Sequence, residues 1–238
     1  MSDDASHSIR NRVFLSTRPE AQAFLAERWM TRTFAMGEVI YRSGETFTHA
    51  VFPHSGVISL MSEDAAGRGV EKASIGNEGF LGFTYLLGGS DALSRTVAQV
   101  PGHASWLAMA DLDEAMERFV CVREAMLRYA KALIVQLMES VSCNSLHTAE
   151  QRISGWLLLA HDRMDGGEFL LTQDALARAL ALRRATVSKV CSELMRMGAI
   201  NYSRGVVSID SRDLLKARSC DCYDRIVSAS MPALTSRT

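Results

Sequence analysis

The rhythm of apolar and polar positions changes three times along the 238-residue chain. "PEAQAFLAERW" (19–29) has the spacing of a short amphipathic helix. Between residues 33 and 109 come short β-rich pieces: "GEVIYRSGE", "AVFPHSGVISLMS", "VEKASIG" and "SRTVAQVPG". Glycines at 37, 44, 56, 67, 69, 76, 79, 82, 88, 89 and 102 break them up, a turn density that predicts a small all-β roll or barrel. From Asp111 the period becomes helical, and no proline or glycine interrupts residues 103 to 154, so one long helix is predicted over about 112–146. Leu127, Ala130, Ile134, Leu137 and Val141 fall at alternating three- and four-residue steps, which predicts a coiled-coil seam. Met126, Leu133 and Met138 lie off it. A helix apolar on two sides is expected to pack on its own β unit with one and on a partner chain with the other. The alternative is a wholly buried core helix. "RISGWLLLAHDRM" (152–164) is a further apolar helix, closed by Asp165-Gly166-Gly167. The expected division is a β unit (1–110), a long helix (111–148) and a C-terminal unit (149–238).

In the C-terminal unit, Thr172 is placed to cap a helix with Asp174 in its first turn, and Leu176 and Leu180 supply its buried side. Ala181-Leu182-Arg183 makes a turn, and a second helix runs to about Met197, where Gly198 stops it. Val187, Val190, Cys191 and Leu194 form one stripe, so Arg184, Ala185, Ser188, Lys189 and Ser192 share the opposite one. That is the layout of a helix-turn-helix whose second helix enters the major groove of DNA. "INYSRGVVSID" then alternates around Arg204-Gly205 as a hairpin wing whose tip arginine would reach a phosphate.

Charge strengthens this reading. The chain carries a net −1, yet residues 1–171 hold 15 Lys+Arg against 21 Asp+Glu, and residues 172–218 hold 9 against 4. An acidic unit is thus joined to a small anion-binding one. No apolar run is long enough to span a membrane, and Met1 to Arg12 shows no apolar signal segment, so a cytoplasmic location is expected. The five cysteines (121, 143, 191, 220, 222) form no CxxC pair and no disulfide framework.

Glycine-rich roll, long helix and winged helix-turn-helix, in that order, resemble the cyclic-AMP receptor protein and fumarate-nitrate regulator (Crp/Fnr) family of bacterial transcription factors. "GEVIYRSGE", "IGNEGFLG" and "LARALALRRATVSKVCSELMRMGAI" carry the resemblance, which covers about residues 15 to 215. It implies an α+β chain: a double-stranded, cyclic-nucleotide-binding-like β-roll, a dimerisation helix and a C-terminal winged helix-turn-helix. It also implies a homodimer on palindromic double-stranded DNA, with RNA polymerase as a further partner and no enzymatic activity. Carried over by position, Arg183, Arg184, Ala185, Thr186, Ser188 and Lys189 would meet bases or phosphates, and Thr172, Gln173 and Arg204 mainly backbone. Where many members have a glutamate that accepts from cytosine, this chain has Ala185, so a different half-site is expected.

The sensor departs further from the pattern. Phe83, not glutamate, follows Gly82, and Ser94-Arg95-Thr96 stands near the position where family members hold the cyclic phosphate. Leu137 and Met138 replace the polar residues that touch adenine. Cyclic AMP is therefore not the expected effector, although a cyclic-nucleotide response through Arg95 is the main alternative, alongside a constitutive or redox- or metal-controlled binder. The effector stays unassigned; neither iron–sulfur cluster nor haem is expected, since the first cysteine is Cys121 and neither His49 nor His54 has a cysteine nearby. Cys143, His147 and Glu150 share a helix face with spacing that suits a soft or borderline metal, but hinge packing is the preferred reading, so no metal is assigned. Cys220 and Cys222 are read as ordinary cysteines near the C-terminus and as the best candidates for an oxidative input.

Overall fold

The computed structural model describes residues 8–64, 69–164 and 166–230; the readings placed on residues 1–7, Gly67, Asp165 and 231–238 lie outside them. Two short helices, α1 (Arg12–Leu15) and α2 (Pro19–Ala26), precede the β unit. Its strands are β1 (Met30–Phe34), β2 (Val39–Tyr41), β3 (His49–Pro53), β4 (Val57–Glu63), β5 (Gly69–Ile75), β6 (Arg95–Val100) and β7 (Gly102–Ala108). They form two antiparallel sheets, ordered β1-β7-β3 and β2-β6-β4-β5. Phe34, Phe52, Ile58, Leu60, Phe80 and Leu107 fill the space between them.

The expected single helix is broken. It divides into α3 (Met109–Arg118) and α4 (Val120–Leu146) at Phe119, whose backbone is extended (φ −125°, ψ 101°). The Phe119 ring meets Phe24 of α2 edge-on at 5.4 Å, so a tertiary anchor overrides local helix preference there.

The seam is corrected at two of its five positions. Ala130 is buried, at 3% exposed, and Leu137 is half-buried against the core of the roll, with Met126 and Leu133. Leu127 (45%), Ile134 (46%), Met138 (66%) and Val141 (67%) stay exposed, and Lys131 lies on the same stripe. The open stripe is therefore Leu127, Lys131, Ile134, Met138, Val141.

Two glycines of "IGNEGFLG" explain how the helices seat on the roll. A Cβ on Gly79 would lie 2.0 Å from the Tyr129 ring of α4. At Gly76 it would lie 2.3 Å from the side chain of Arg163, which caps α5 (Ala149–Asp162). Both positions need a bare backbone because a neighbouring side chain fills the space.

After α5, β8 (Glu168–Leu170), α6 (Gln173–Leu180), α7 (Arg184–Arg196), β9 (Ile200–Ser203) and β10 (Val206–Ile209) build a second core around Leu157, Leu176, Val187, Leu194 and Val207. The strands pair as β8-β10-β9. Two helices that the sequence pattern did not predict follow, α8 (Arg212–Ala217) and α9 (Cys222–Ser230).

Val57 and Val100 of the roll join the second core, and polar contacts lock the units together. Arg163 grips Glu78 through two nitrogens, at 2.7 and 3.1 Å, and reaches Ser74 through two more bonds. Trp156 Nε1 donates to Glu71 on β5. Burial outweighs the hydrogen bonds Glu71 receives from Ser59 and Trp156, and raises its pKa.

Candidate nucleic-acid interface and sensor cavity

Thr172 caps α6, its Oγ1 accepting from the Ala175 amide at 3.1 Å. Ala181 ends the helix in the left-handed region (φ 50°), a conformation uncommon outside glycine, and turns the chain into α7. Arg183 stands at the N-cap of α7 without a side-chain bond to the first amides, and its carbonyl accepts from the Thr186 amide at 2.9 Å, so the Arg184 and Ala185 amides ahead of it have no partner within the helix. Val187, Val190, Cys191 and Leu194 are buried, whereas Arg183, Arg184, Ala185 and Lys189 are exposed and Thr186 and Ser188 half-exposed. Burial pushes the Cys191 thiol up to about 11, as suits a core residue. Arg184 Nε lies 3.4 Å from Asp174 Oδ1, both well exposed. Such a solvated pair is weak and exchanges readily for a stronger acceptor.

Arg204 and Gly205 form the tip of the β9–β10 hairpin with φ of 52° and 81°. Two successive left-handed residues are what a two-residue hairpin turn requires. Arg204 is exposed there, while Tyr202 Oη donates to Leu171 O at 2.6 Å and fastens the hairpin to the strand before α6. Thr172 and half-buried Gln173 sit at the N-terminal end of α6.

The roll encloses a cavity of about 210 Å³ lined chiefly by Phe47, Leu60, Leu81, Phe83, Leu93 and Leu137, with Ser94 and Thr96 on one wall and Lys72 as its charged residue. Of the residues expected around an effector, Phe83, Ser94, Thr96 and Leu137 line it; Gly82, Arg95 and Met138 do not. Gly82 instead adopts φ 110° as the cap of the short 3₁₀ turn that presents Phe83. Side chains alternate along β6, so with Thr96 turned inward Arg95 faces out, where it meets Glu63 at 2.9 Å. Thr96 is itself occupied: its Oγ1 accepts from the Tyr41 amide at 2.9 Å. Met138 is exposed on the open stripe of α4.

The cysteine and histidine face is assembled differently from its sequence pattern. Cys143 and His147, at the end of α4, meet Cys220 and Cys222, at the start of α9. Glu150 turns away toward Arg218, 3.6 Å distant. The two pairs were not legible as one cluster, because 73 or more residues separate them.

Two families match the sequence: the cyclic nucleotide-binding domain over residues 31–119 and the Crp-like helix-turn-helix domain over residues 151–218. No curated protein matches significantly. Among solved structures, FixK2 from Bradyrhizobium japonicum is 17% identical, with a TM-score of 0.68 over 81% of this chain and 98% of its own. TTHB099, a transcriptional regulator of the CRP family from Thermus thermophilus, is 20% identical, with a TM-score of 0.63 over 79% and 96%. The c-di-GMP-responsive global regulator CLP from Xanthomonas campestris is 13% identical, with a TM-score of 0.60 over 81% and 99%. At such identities the likeness is one of fold.

Proposed function

Because this chain belongs to the Crp/Fnr family, joining a cyclic nucleotide-binding domain to a Crp-like helix-turn-helix domain, we propose that it acts as a homodimer on a palindromic operator. It is a DNA-binding transcription regulator and not an enzyme. No helix among the described residues is long and apolar enough to cross a membrane. The division into a roll (1–110), a dimerisation helix (111–148) and a DNA-binding unit (149–238) is part of this reading.

One observation carries it above the others: an exposed basic face on α7, together with a hairpin tipped by Arg204 whose Gly205 carbonyl accepts from Leu171, next to the Thr172 cap of α6. In this reading Arg184 contacts a base edge, Ala185 offers only a methyl, and Ser188 and Lys189 reach bases or phosphate. Arg183 and Thr186, with Thr172, Gln173 and Arg204, hold the backbone. The Arg184–Asp174 pair opens as Arg184 engages guanine.

Selection from a random DNA pool with the purified protein is expected to recover one palindrome. On it, Arg184→Ala should lose about 1–3 kcal/mol and relax the preference at one position of each half-site. Lys189→Ala should weaken all sequences alike and reduce the salt slope by about 1. An Arg184→Ala protein with unchanged specificity, measured on operator variants by fluorescence anisotropy, would remove α7 from base reading.

The effector of the roll is inferred to be something other than cyclic AMP. Support comes from the apolar cavity wall, from Phe83 at its rim and from Arg95 held outside by Glu63. At about 210 Å³ the cavity is also smaller than the roughly 300–1,000 Å³ usual for sites of drug-sized ligands. Operator affinity is therefore expected to be the same with and without cyclic AMP. A nucleotide-dependent gain that Arg95→Ala abolishes would reverse this inference.

A further inference from the structure

The four side chains that meet where α4 ends and α9 begins are Cys143, His147, Cys220 and Cys222, and their ligand atoms all lie within 4.8 Å of one another. From this geometry we propose that they form a Cys₃His site for a zinc-like divalent ion, fixing α9 to the end of the long helix. Two of the six edges match tetrahedral coordination. Cys143 Sγ and Cys220 Sγ are 3.7 Å apart, and Cys222 Sγ is 3.5 Å from His147 Nδ1. With metal–sulfur bonds near 2.3 Å and metal–nitrogen bonds near 2.0–2.1 Å, tetrahedral edges come to roughly 3.8 and 3.6 Å. A disulfide would instead bring two sulfurs to about 2.05 Å.

The local sequence explains the convergence. Cys143 and His147 are one turn apart, so both project from the same side at the end of α4. Cys220 and Cys222 flank one residue, and the Tyr223 amide donates to Cys220 O at 3.2 Å, which bends that segment into α9. Cys220 and Cys222 are buried, and Cys143 and His147 half-buried. A small cavity of about 80 Å³ bordered by Cys143, Trp156, Cys220 and Cys222 gives a way in.

The surroundings suit bound thiolates. Three thiolates and one divalent cation leave a net −1, and Arg225 approaches Cys222 Sγ at 3.6 Å while pairing with Glu139 at 2.9 Å. Thr148 caps α5 immediately after His147. An ion here ties the two sides of that hinge, and its loss frees α9 and the α4–α5 angle together.

The test uses the full chain, reduced and stripped with a chelator, then titrated with Co²⁺. One equivalent is expected to bring up the intense visible bands of tetrahedral thiolate coordination, and one equivalent of Zn²⁺ to erase them. Cys220→Ser should lower affinity by more than the roughly 10–100-fold that outer-shell changes cost. Arg225→Ala should fall within that smaller range, while Glu150→Gln and Cys191→Ser leave the titration unaltered. A reduced wild-type protein that yields no such bands overturns the site whatever the variants do. So does one that takes up no metal but closes a Cys143–Cys220 disulfide under mild oxidant, which assigns the cluster to thiol redox chemistry. The spectrum is read without DNA, so its outcome is independent of operator binding.

Discussion

Arg163→Ala is expected to destabilise the protein by about 3–5 kcal/mol, the usual cost of removing one partner from a buried ion pair. Arg163 is 3% exposed, and its fork spends three nitrogens on Glu78 and Ser74. Without it, the Glu78 carboxylate stays in the same wall and keeps the Gly76 amide, at 3.2 Å, as a donor. Ser74 would also lose the stronger of its two donors, keeping Gln136 of α4 at 3.3 Å. Arg163→Lys should recover little, since an ammonium cannot reproduce two parallel bonds to one carboxylate. Arg163→Met with Glu78→Gln should be milder than either single change, because it removes both charges at once. Urea unfolding followed by circular dichroism checks all four proteins. A loss under about 1 kcal/mol for Arg163→Ala would mean that apolar packing alone holds the units together.

That ion pair shows which parts of the fold could be read from the sequence. Helix-turn-helix and hairpin were legible because their signals are local: the Thr172 cap, a 3.6-residue stripe from Val187 to Leu194, and Arg204-Gly205 at the turn. The glycine density of the roll was equally plain. What Gly76 and Gly79 accommodate was not, since the answer lies in Arg163 and Tyr129, 50 or more residues away. The break at Phe119 escaped for the same reason: a ring from α2 causes it. α8 and α9 follow the wing as short segments that the pattern reading passed over.

The candidate sites divide along the same line. A period of two along β6 already implied that Arg95 and Thr96 face opposite ways, so an arginine in the cavity and a buried Thr96 were incompatible. Along α4, two three-four patterns share Leu127, Ile134 and Val141, and differ only in pairing these with Ala130 and Leu137 or with Lys131 and Met138. Apolarity chose the first; the burial of Ala130 in the folded chain leaves the second outside. Cys143 and His147 were visible as a spacing, grouped with Glu150, but their meeting with Cys220 and Cys222 required two helices to fold back against one another.

The corrected stripe leads to the other large effect. Ile134→Glu is expected to convert a dimer to monomers in sedimentation and to reduce affinity for a palindromic operator by at least about 100-fold, because two half-sites would no longer be bound as one. Ile134 is 46% exposed on the outer face of α4, so a carboxylate there stays in water in the single chain, yet would lie unpaired in a helix–helix contact. Two such helices meeting along Leu127, Ile134, Met138 and Val141 would cover apolar side chains that the single chain leaves 45–67% open. The fold itself should survive, with an unchanged circular dichroism spectrum. Ala130→Glu makes the contrast: that position is 3% exposed within the single chain, so the same carboxylate should unfold the protein before it separates dimers. Met138→Lys should weaken dimers and Leu137→Ala should not, which separates the exposed register from the one that apolarity alone suggests. An Ile134→Glu protein that sediments as a dimer and binds the palindrome as tightly as wild type would place the dimer contact on another surface. Binding to an isolated half-site is expected to be equal in the two proteins, since α7 and the hairpin lie outside the altered contact.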